Sequence, residues 1–145
     1  MTALAAEPGI GDELVELARR AALNAYAPYS GFRVGAALRA SDGRIFTGAN
    51  VENAAYPASS CAEATAVAHA AAEGMRAITE AAVACIDAGS LDHAYPCGRC
   101  RQILNEFRTG FVFVATGSGP FRTHTLAELL PHGFKLAAPR PPSAS

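Results

Sequence analysis

The chain has no tryptophan, only two methionines and little charge: 17% of its 145 residues are charged. Positive charge is especially sparse. Twelve Lys and Arg against thirteen Asp and Glu leave a net charge of -1. No basic run exceeds the pair Arg19-Arg20. Proteins that grip DNA or RNA carry a basic excess, so the expected partner is a small molecule and no nucleic acid. Long apolar runs are missing as well. The Ala-rich stretches are broken by Glu, His or Arg, which excludes a membrane span. Met1 to Gly11 shows neither the basic start nor the apolar stretch of a signal peptide. The expected compartment is therefore the cytoplasm, where thiols stay reduced. Only four cysteines occur, and in that compartment they point to metal or catalysis before disulfides.

Half of the residues are apolar, enough for a core, and the length suits one domain. No repeat or internal linker is visible. Residues 1–11 are expected to be a flexible start, 12–137 the domain, and 138–145 a flexible tail. Leu14, Leu17, Ala18 and Ala21 keep helical spacing and predict a helix over Asp12 to Tyr26, stopped by Pro28. Phe32 to Ala40 and Ile45 to Ala49 read as strands joined by the turn Ser41-Asp42-Gly43-Arg44. A second helix is predicted over Ala62 to Met75. The unalternating run Ala81 to Asp87 reads as a buried strand. A third helix follows at Cys97 to Phe107, then strands at Phe111 to Ala115 and Phe121 to His124, and a short helix at Leu126 to Leu130. This order predicts an α/β fold, a mixed β-sheet with helices on its faces. The second helix carries alanine at 62, 64, 66, 68, 70, 71 and 72. High helix propensity explains that, and so does a smooth helix that lets backbones or a second protomer come close.

The chemistry concentrates in Cys61-Ala62-Glu63 and Pro96-Cys97-Gly98-Arg99-Cys100. Both segments open a predicted helix. Cys97 and Cys100, three apart, share one face of a first turn, and helix side chains lean toward the N-terminus. Two helix starts aimed at one point would gather three thiolates and one carboxylate. Helix N-termini favour negative charge and lower cysteine pKa. Three cysteines fill three tetrahedral positions of a zinc ion and leave the fourth to water, the pattern of a catalytic site. Bound zinc lowers the pKa of its water from 15.7 to about 7. Three thiolates blunt that effect, so a general base is needed, and Glu63 is the candidate. Taken alone, Glu63 also reads as a carboxylate that only complements the helix dipole. Cys-x-x-Cys alone also fits a redox dithiol or half a zinc ribbon. A dithiol site leaves Cys61 and Glu63 unexplained, and a ribbon lacks its second pair. Cys85 reads as a small core residue in a strand. His69 sits too far along its helix to share the metal, and His93, His124 and His132 read as surface or capping residues.

The two segments resemble the zinc deaminase signature, a ligand-x-Glu segment followed by Pro-Cys-x-x-Cys, in its three-cysteine form. The stretch from Ala27-Pro28-Tyr29-Ser30-Gly31-Phe32 to Leu38 is similar to the opening segment of small tetrameric cytidine deaminases. Asn50-Val51-Glu52-Asn53-Ala54-Ala55-Tyr56 is similar to their nucleoside-binding segment. Cys97 to Gln102 and Glu128-Leu129-Leu130-Pro131 carry the resemblance over residues 12–135. It implies a single-domain three-layer cytidine-deaminase-like fold. It implies one zinc ion per subunit on Cys61, Cys97 and Cys100, and Glu63 as the proton shuttle. Asn50 and Glu52 would meet ribose hydroxyls, Phe32 would lie beside the base, and Tyr56 and Ala62 complete the substrate contacts. Phe134 would reach a neighbouring subunit's site, hence a homotetramer. The implied reaction is hydrolysis of cytidine and 2′-deoxycytidine to uridine and 2′-deoxyuridine plus ammonia, a step of pyrimidine salvage.

One position departs from the pattern. Many relatives carry Arg directly after the catalytic Glu, and Ala64 stands there. Arg101 is then the expected thiolate-stabilising cation. Blasticidin S deaminases share the zinc segments and resemble Ser41 to Gly48, so they form the alternative, but the intact Asn50-to-Tyr56 segment favours a nucleoside. A nucleic-acid-editing deaminase would need a basic groove. A non-catalytic zinc-stabilised interaction domain would tolerate loss of the Glu63 carboxylate.

Overall fold

The computed structural model describes residues 9–137. The expected flexible tail and residues 1–8 of the expected flexible start lie outside them. Five strands form one sheet in the order β2-β1-β3-β4-β5: β1 (Val34–Ala40), β2 (Ile45–Ala49), β3 (Ile78–Cys85), β4 (Phe111–Thr116) and β5 (Arg122–Thr125). Only β3 and β4 pair in parallel; the other neighbours are antiparallel. The sheet is therefore mixed, as the element order predicts. The helices are α1 (Ile10–Ala22), α2 (Ala62–Ala72), α3 (Gly98–Glu106) and α4 (Leu126–Leu129). Short 3-10 turns at Tyr56–Ala58 and Leu91–His93 add to these; no periodicity announces them.

Strand alternation divides the core into two faces. Ala37, Ala82, Ala84, Phe113 and Ala115 pack with Leu14, Val15 and Ala18 of α1. Ala36, Leu38, Ala81, Val83, Cys85, Val112 and Val114 form the opposite face, with Ala66 and Ala70 of α2 and Leu104 of α3. The result is three layers with helices on both sides of the sheet. No described helix is long and apolar enough to cross a membrane.

Element boundaries move for identifiable reasons. α1 starts at Ile10, so Ile10 and Gly11 belong to the helix and not to a flexible start. Gly11 lies under Phe121, where an added Cβ would meet that ring at 2.7 Å. α1 ends at Ala22, before the expected Tyr26, because Tyr26 leaves to bridge Val51. Its N–H donates to Asn50 O at 2.9 Å, and its carbonyl accepts from Glu52 N–H at 2.8 Å. These bonds dock the segment carrying Asn50 and Glu52 beside the start of β1.

The alanines of α2 serve a close approach. An added Cβ at Gly48 of β2 would stand 2.8 Å from Ala62 O and Ala66 Cα. Small residues on both sides let helix backbone rest on strand backbone, and that contact sets the height of Cys61 and Glu63 over the sheet. α2 ends at Ala72, short of the expected Met75, and Gly74 just beyond the Glu73 cap takes a φ of 91° that is open to glycine without strain.

Candidate active site

The site lies at the end of the sheet where β1 begins and β3 finishes, with Val34 paired to Cys85. The starts of α2 and α3 converge above it. Cys61 caps α2 and Cys97 caps α3, both in extended backbone, and neither side chain makes a capping hydrogen bond. Their sulfurs stay free for other partners. The Cys61, Cys97 and Cys100 sulfurs lie within 4.8 Å of one another. Cys61 Sγ and Cys97 Sγ are 4.0 Å apart. A tetrahedral zinc ion with Zn–S bonds of about 2.3 Å separates its sulfurs by about 3.8 Å, so the donor set and spacing fit that metal. Cys61, Cys97 and Cys100 are thus positioned to bind it. Among the described residues no histidine shares the cluster: His69 stacks edge-on against Phe46 and its Nδ1 faces Thr47 O at 3.3 Å.

The electrostatics follow from crowding and burial. Hydrogen bonds from Cys100 and Cys97, joined by the Arg99 charge and hydrogen bonding, pull the Cys61 thiol down to about 6. Cys100 moves the opposite way, because it donates to Cys61 and is buried. Of this coupled pair, Cys61 is therefore the sulfur that gives up its proton more readily. Glu63 is 5% exposed, in the first turn of α2. Burial raises its pKa and the Cys61 charge adds to that, so the carboxyl is shifted toward holding a proton. Cys85 is pushed up to about 12 by burial, with Glu63 contributing. It is a neutral thiol in the wall, and its Sγ contacts Ala94 O at 3.5 Å.

A cavity of about 270 Å³ opens beside this cluster, near the lower limit of small-molecule sites. Phe32, Asn50, Glu52, Cys61, Ala62, Glu63 and Cys97 line it. Seven expected site residues, far apart in sequence, thus share one wall. Asn50 is locked in place: Oδ1 accepts from Val34 N–H at 2.8 Å, and Nδ2 donates to Phe32 O at 2.9 Å. Glu52 accepts from the Ser30 hydroxyl at 2.6 Å and from the Tyr29 and Ser30 N–H groups. Those bonds, the hydroxyl first, hold its carboxyl below the usual range and so ionised. No described Arg or Lys lines the cavity.

Three expected residues lie elsewhere. Tyr56 and Phe134 are 72% and 68% exposed and stand outside the cavity of this single chain. The third, Arg101, spends its guanidinium on carbonyls: Nε donates to Pro96 O at 2.9 Å and Nη1 to Leu129 O at 2.8 Å. It forms no hydrogen bond to a cysteine sulfur among the described residues. It ties the residue before Cys97 to α4. Other wall residues escaped the sequence reading: Val34, Ser59, Ser60, Val83, Cys85, His93 and Tyr95. The i, i+2 pair Val83 and Cys85 could have been found, because those positions share one strand face. His93 carries no such signal; the 3-10 turn before Tyr95 brings it to the rim.

The site and fold define a zinc-binding deaminase. The family model of the cytidine and deoxycytidylate deaminase zinc-binding region matches residues 10–116, and the chain belongs to that family. It is 41% identical over 125 residues to a cytidine deaminase of Sporosarcina psychrophila, covering 85% of this chain and 90% of that protein. It is 42% identical over 119 residues to a cytidine deaminase of Mycobacterium tuberculosis, covering 82% and 85%. Among solved structures, a cytidine deaminase from Burkholderia pseudomallei superposes with a TM-score of 0.77. That structure has 42% identity and covers 85% of this chain and 98% of its own.

Proposed function

We propose that the protein is a zinc-dependent cytidine deaminase that converts cytidine and 2′-deoxycytidine to uridine and 2′-deoxyuridine with release of ammonia. The observation that carries this is three cysteine sulfurs within 4.8 Å at two converging helix starts, with buried Glu63 beside them. Zinc, when bound, supplies a water of lowered pKa. Glu63 takes up one proton of the attacking water at its carboxylate and delivers it to the ring nitrogen, then takes up the second from the new hydroxyl and delivers it to the departing amine. Its raised pKa suits a group that must hold a proton between those steps. Phe32 offers an apolar face to the base. Asn50 and the ionised Glu52 meet the ribose hydroxyls, with Tyr56 and Ala62 completing the contacts. Two carboxylates and three thiols, with no described Arg or Lys in the lining, favour a nucleoside over its phosphate.

A homotetramer is part of this reading. Tyr29, Tyr56, Phe134 and Leu136 are large apolar side chains left exposed, the kind of surface that a partner covers. Phe134 is held by its backbone: Gln102 bonds both its N–H and its carbonyl, at 3.1 and 2.9 Å. A second copy would bury that ring at its own site. A site of reactive thiols fits the reducing cytoplasm, and the reaction places the enzyme in pyrimidine salvage.

The test is the fall in ultraviolet absorbance when zinc-loaded protein meets cytidine, deoxycytidine or blasticidin S. Turnover of the two nucleosides is expected, with sedimentation reporting four subunits. Glu63→Gln should keep its zinc and lose about 10²–10⁴-fold in rate. A zinc-loaded wild type without nucleoside turnover, or a Glu63→Gln variant of full activity, overturns the reading.

A further inference from the structure

We propose that Tyr95 is a specificity-determining residue, whose ring closes the cavity against pyrimidines larger than cytosine on the edge remote from Glu63. The inference rests on the function proposed above and narrows the substrate class of that same site.

The walls of the cavity come from opposite parts of the sheet. α2 rests on β2 at Gly48, so Glu63 reaches the cavity from the β2 edge. Asn50 and Glu52, just beyond β2, enter from the same side. Tyr95 lines the cavity too, but its hydroxyl is fastened to β5, at the other edge of the five-stranded sheet. In a cytosine that turns N3 to Glu63 and its reacting carbon to the sulfurs, the C5–H edge lies on the other side of that carbon. It then faces the Tyr95 wall.

That wall is braced. Arg122 Nη1 donates to the Tyr95 hydroxyl oxygen at 3.3 Å, and the hydroxyl and His124 Nε2 are 3.0 Å apart. With its oxygen accepting from Arg122, the hydroxyl donates to His124. Asp92 in turn accepts from Arg122 Nη1 at 2.7 Å, and His124 Nδ1 lies 3.8 Å from Glu128 Oε2. The Tyr95 and His124 rings meet at a tilt, with 5.4 Å between centroids. The Tyr95 ring also packs against the buried core. Swinging it aside would break both hydroxyl bonds and that packing. A cavity of about 270 Å³ leaves little slack elsewhere.

The experiment compares kcat/KM for cytidine and for 5-methylcytidine, which is one methyl larger on that edge, with zinc-loaded protein. A single methylene in a close-fitting pocket is worth about 10–200-fold, so wild type should favour cytidine by that factor. Tyr95→Ala should cut the preference by about tenfold or more. Tyr95→Phe keeps the ring and loses both hydroxyl bonds, so its preference should fall between the two. Calorimetric binding of uridine and 5-methyluridine should shift in the same sense. A defect of folding or metal content lowers both substrates together and leaves the ratio alone. Tyr95→Leu keeps apolar packing with a smaller side chain and takes the place of Tyr95→Ala if that variant holds no zinc. A wild-type ratio in the truncated variant overturns the inference, as does a wild type that accepts both nucleosides equally. Either result leaves the cytidine deaminase reading standing, whereas a wild type inactive on cytidine overturns both.

Discussion

Gly48→Ala tests whether the contact between β2 and α2 sets the geometry of the site. An added Cβ would lie 2.8 Å from Ala62 O and Ala66 Cα and closer still to Ala66 N. The intruding methyl would thus press on the first hydrogen-bonded turn of α2, directly after Cys61. Ordinary contact begins at 3.4 Å, so relieving the Ala66 N contact requires strand and helix to part by about 1 Å, a strain of the overpacking kind that costs roughly 1–3 kcal/mol. Either partner that yields moves a wall of the site. If α2 recedes, Cys61 and Glu63 shift against Cys97 and Cys100. If β2 recedes, Asn50, two residues beyond Gly48, shifts against Phe32. A misplacement near 1 Å costs up to about 10²-fold, so a kcat/KM loss of tenfold or more on cytidine is expected. Urea unfolding at one protein concentration and saturating zinc gives the stability change. Gly89→Ala is the control, because nothing lies within 4 Å of the added Cβ; its stability should stay within about 0.5 kcal/mol of wild type. A Gly48→Ala protein with the unfolding midpoint and kcat/KM of Gly89→Ala would refute the reasoning.

Asn50→Ala removes the partners of Val34 N–H and Phe32 O; urea unfolding should show a loss of about 1–3 kcal/mol, and steady-state kinetics a higher KM for cytidine, and unchanged values would reject the assigned role. Arg101→Ala frees Pro96 O and Leu129 O, so α3 is less firmly held and metal analysis after dialysis should find less zinc; full zinc content rejects this. Asp87 is held at about 2 instead of 3.8, first by the Arg33 side chain and then by the Arg33 N–H. A lowered carboxyl pKa adds stability above the unfolded value and loses it as pH falls through the folded one. Wild type should therefore lose more stability than Asp87→Asn between pH 4 and pH 2, read as urea midpoints across that window, and parallel curves would contradict the pairing.

Much of this protein is legible in its order of residues. Alternation and helical spacing are local, so β2 and the core of every helix fall where the pattern predicts. Zinc chemistry is also local in part, because Cys97 and Cys100 meet within a single helical turn. Other features depend on contacts that no window of sequence contains. α1 stops early because Tyr26 pairs with Val51, a residue of a different segment. His93 enters the cavity wall only because the 3-10 turn before Tyr95 carries it there. Arg101 follows Cys100 directly, yet its guanidinium goes to the carbonyls of Pro96 and Leu129 and not to a sulfur. Residue type and spacing determined which groups could hold zinc and move a proton. The packing of α2 and α3 on the sheet decided which of them meet, because side-chain direction is set by the neighbours that occupy the remaining space.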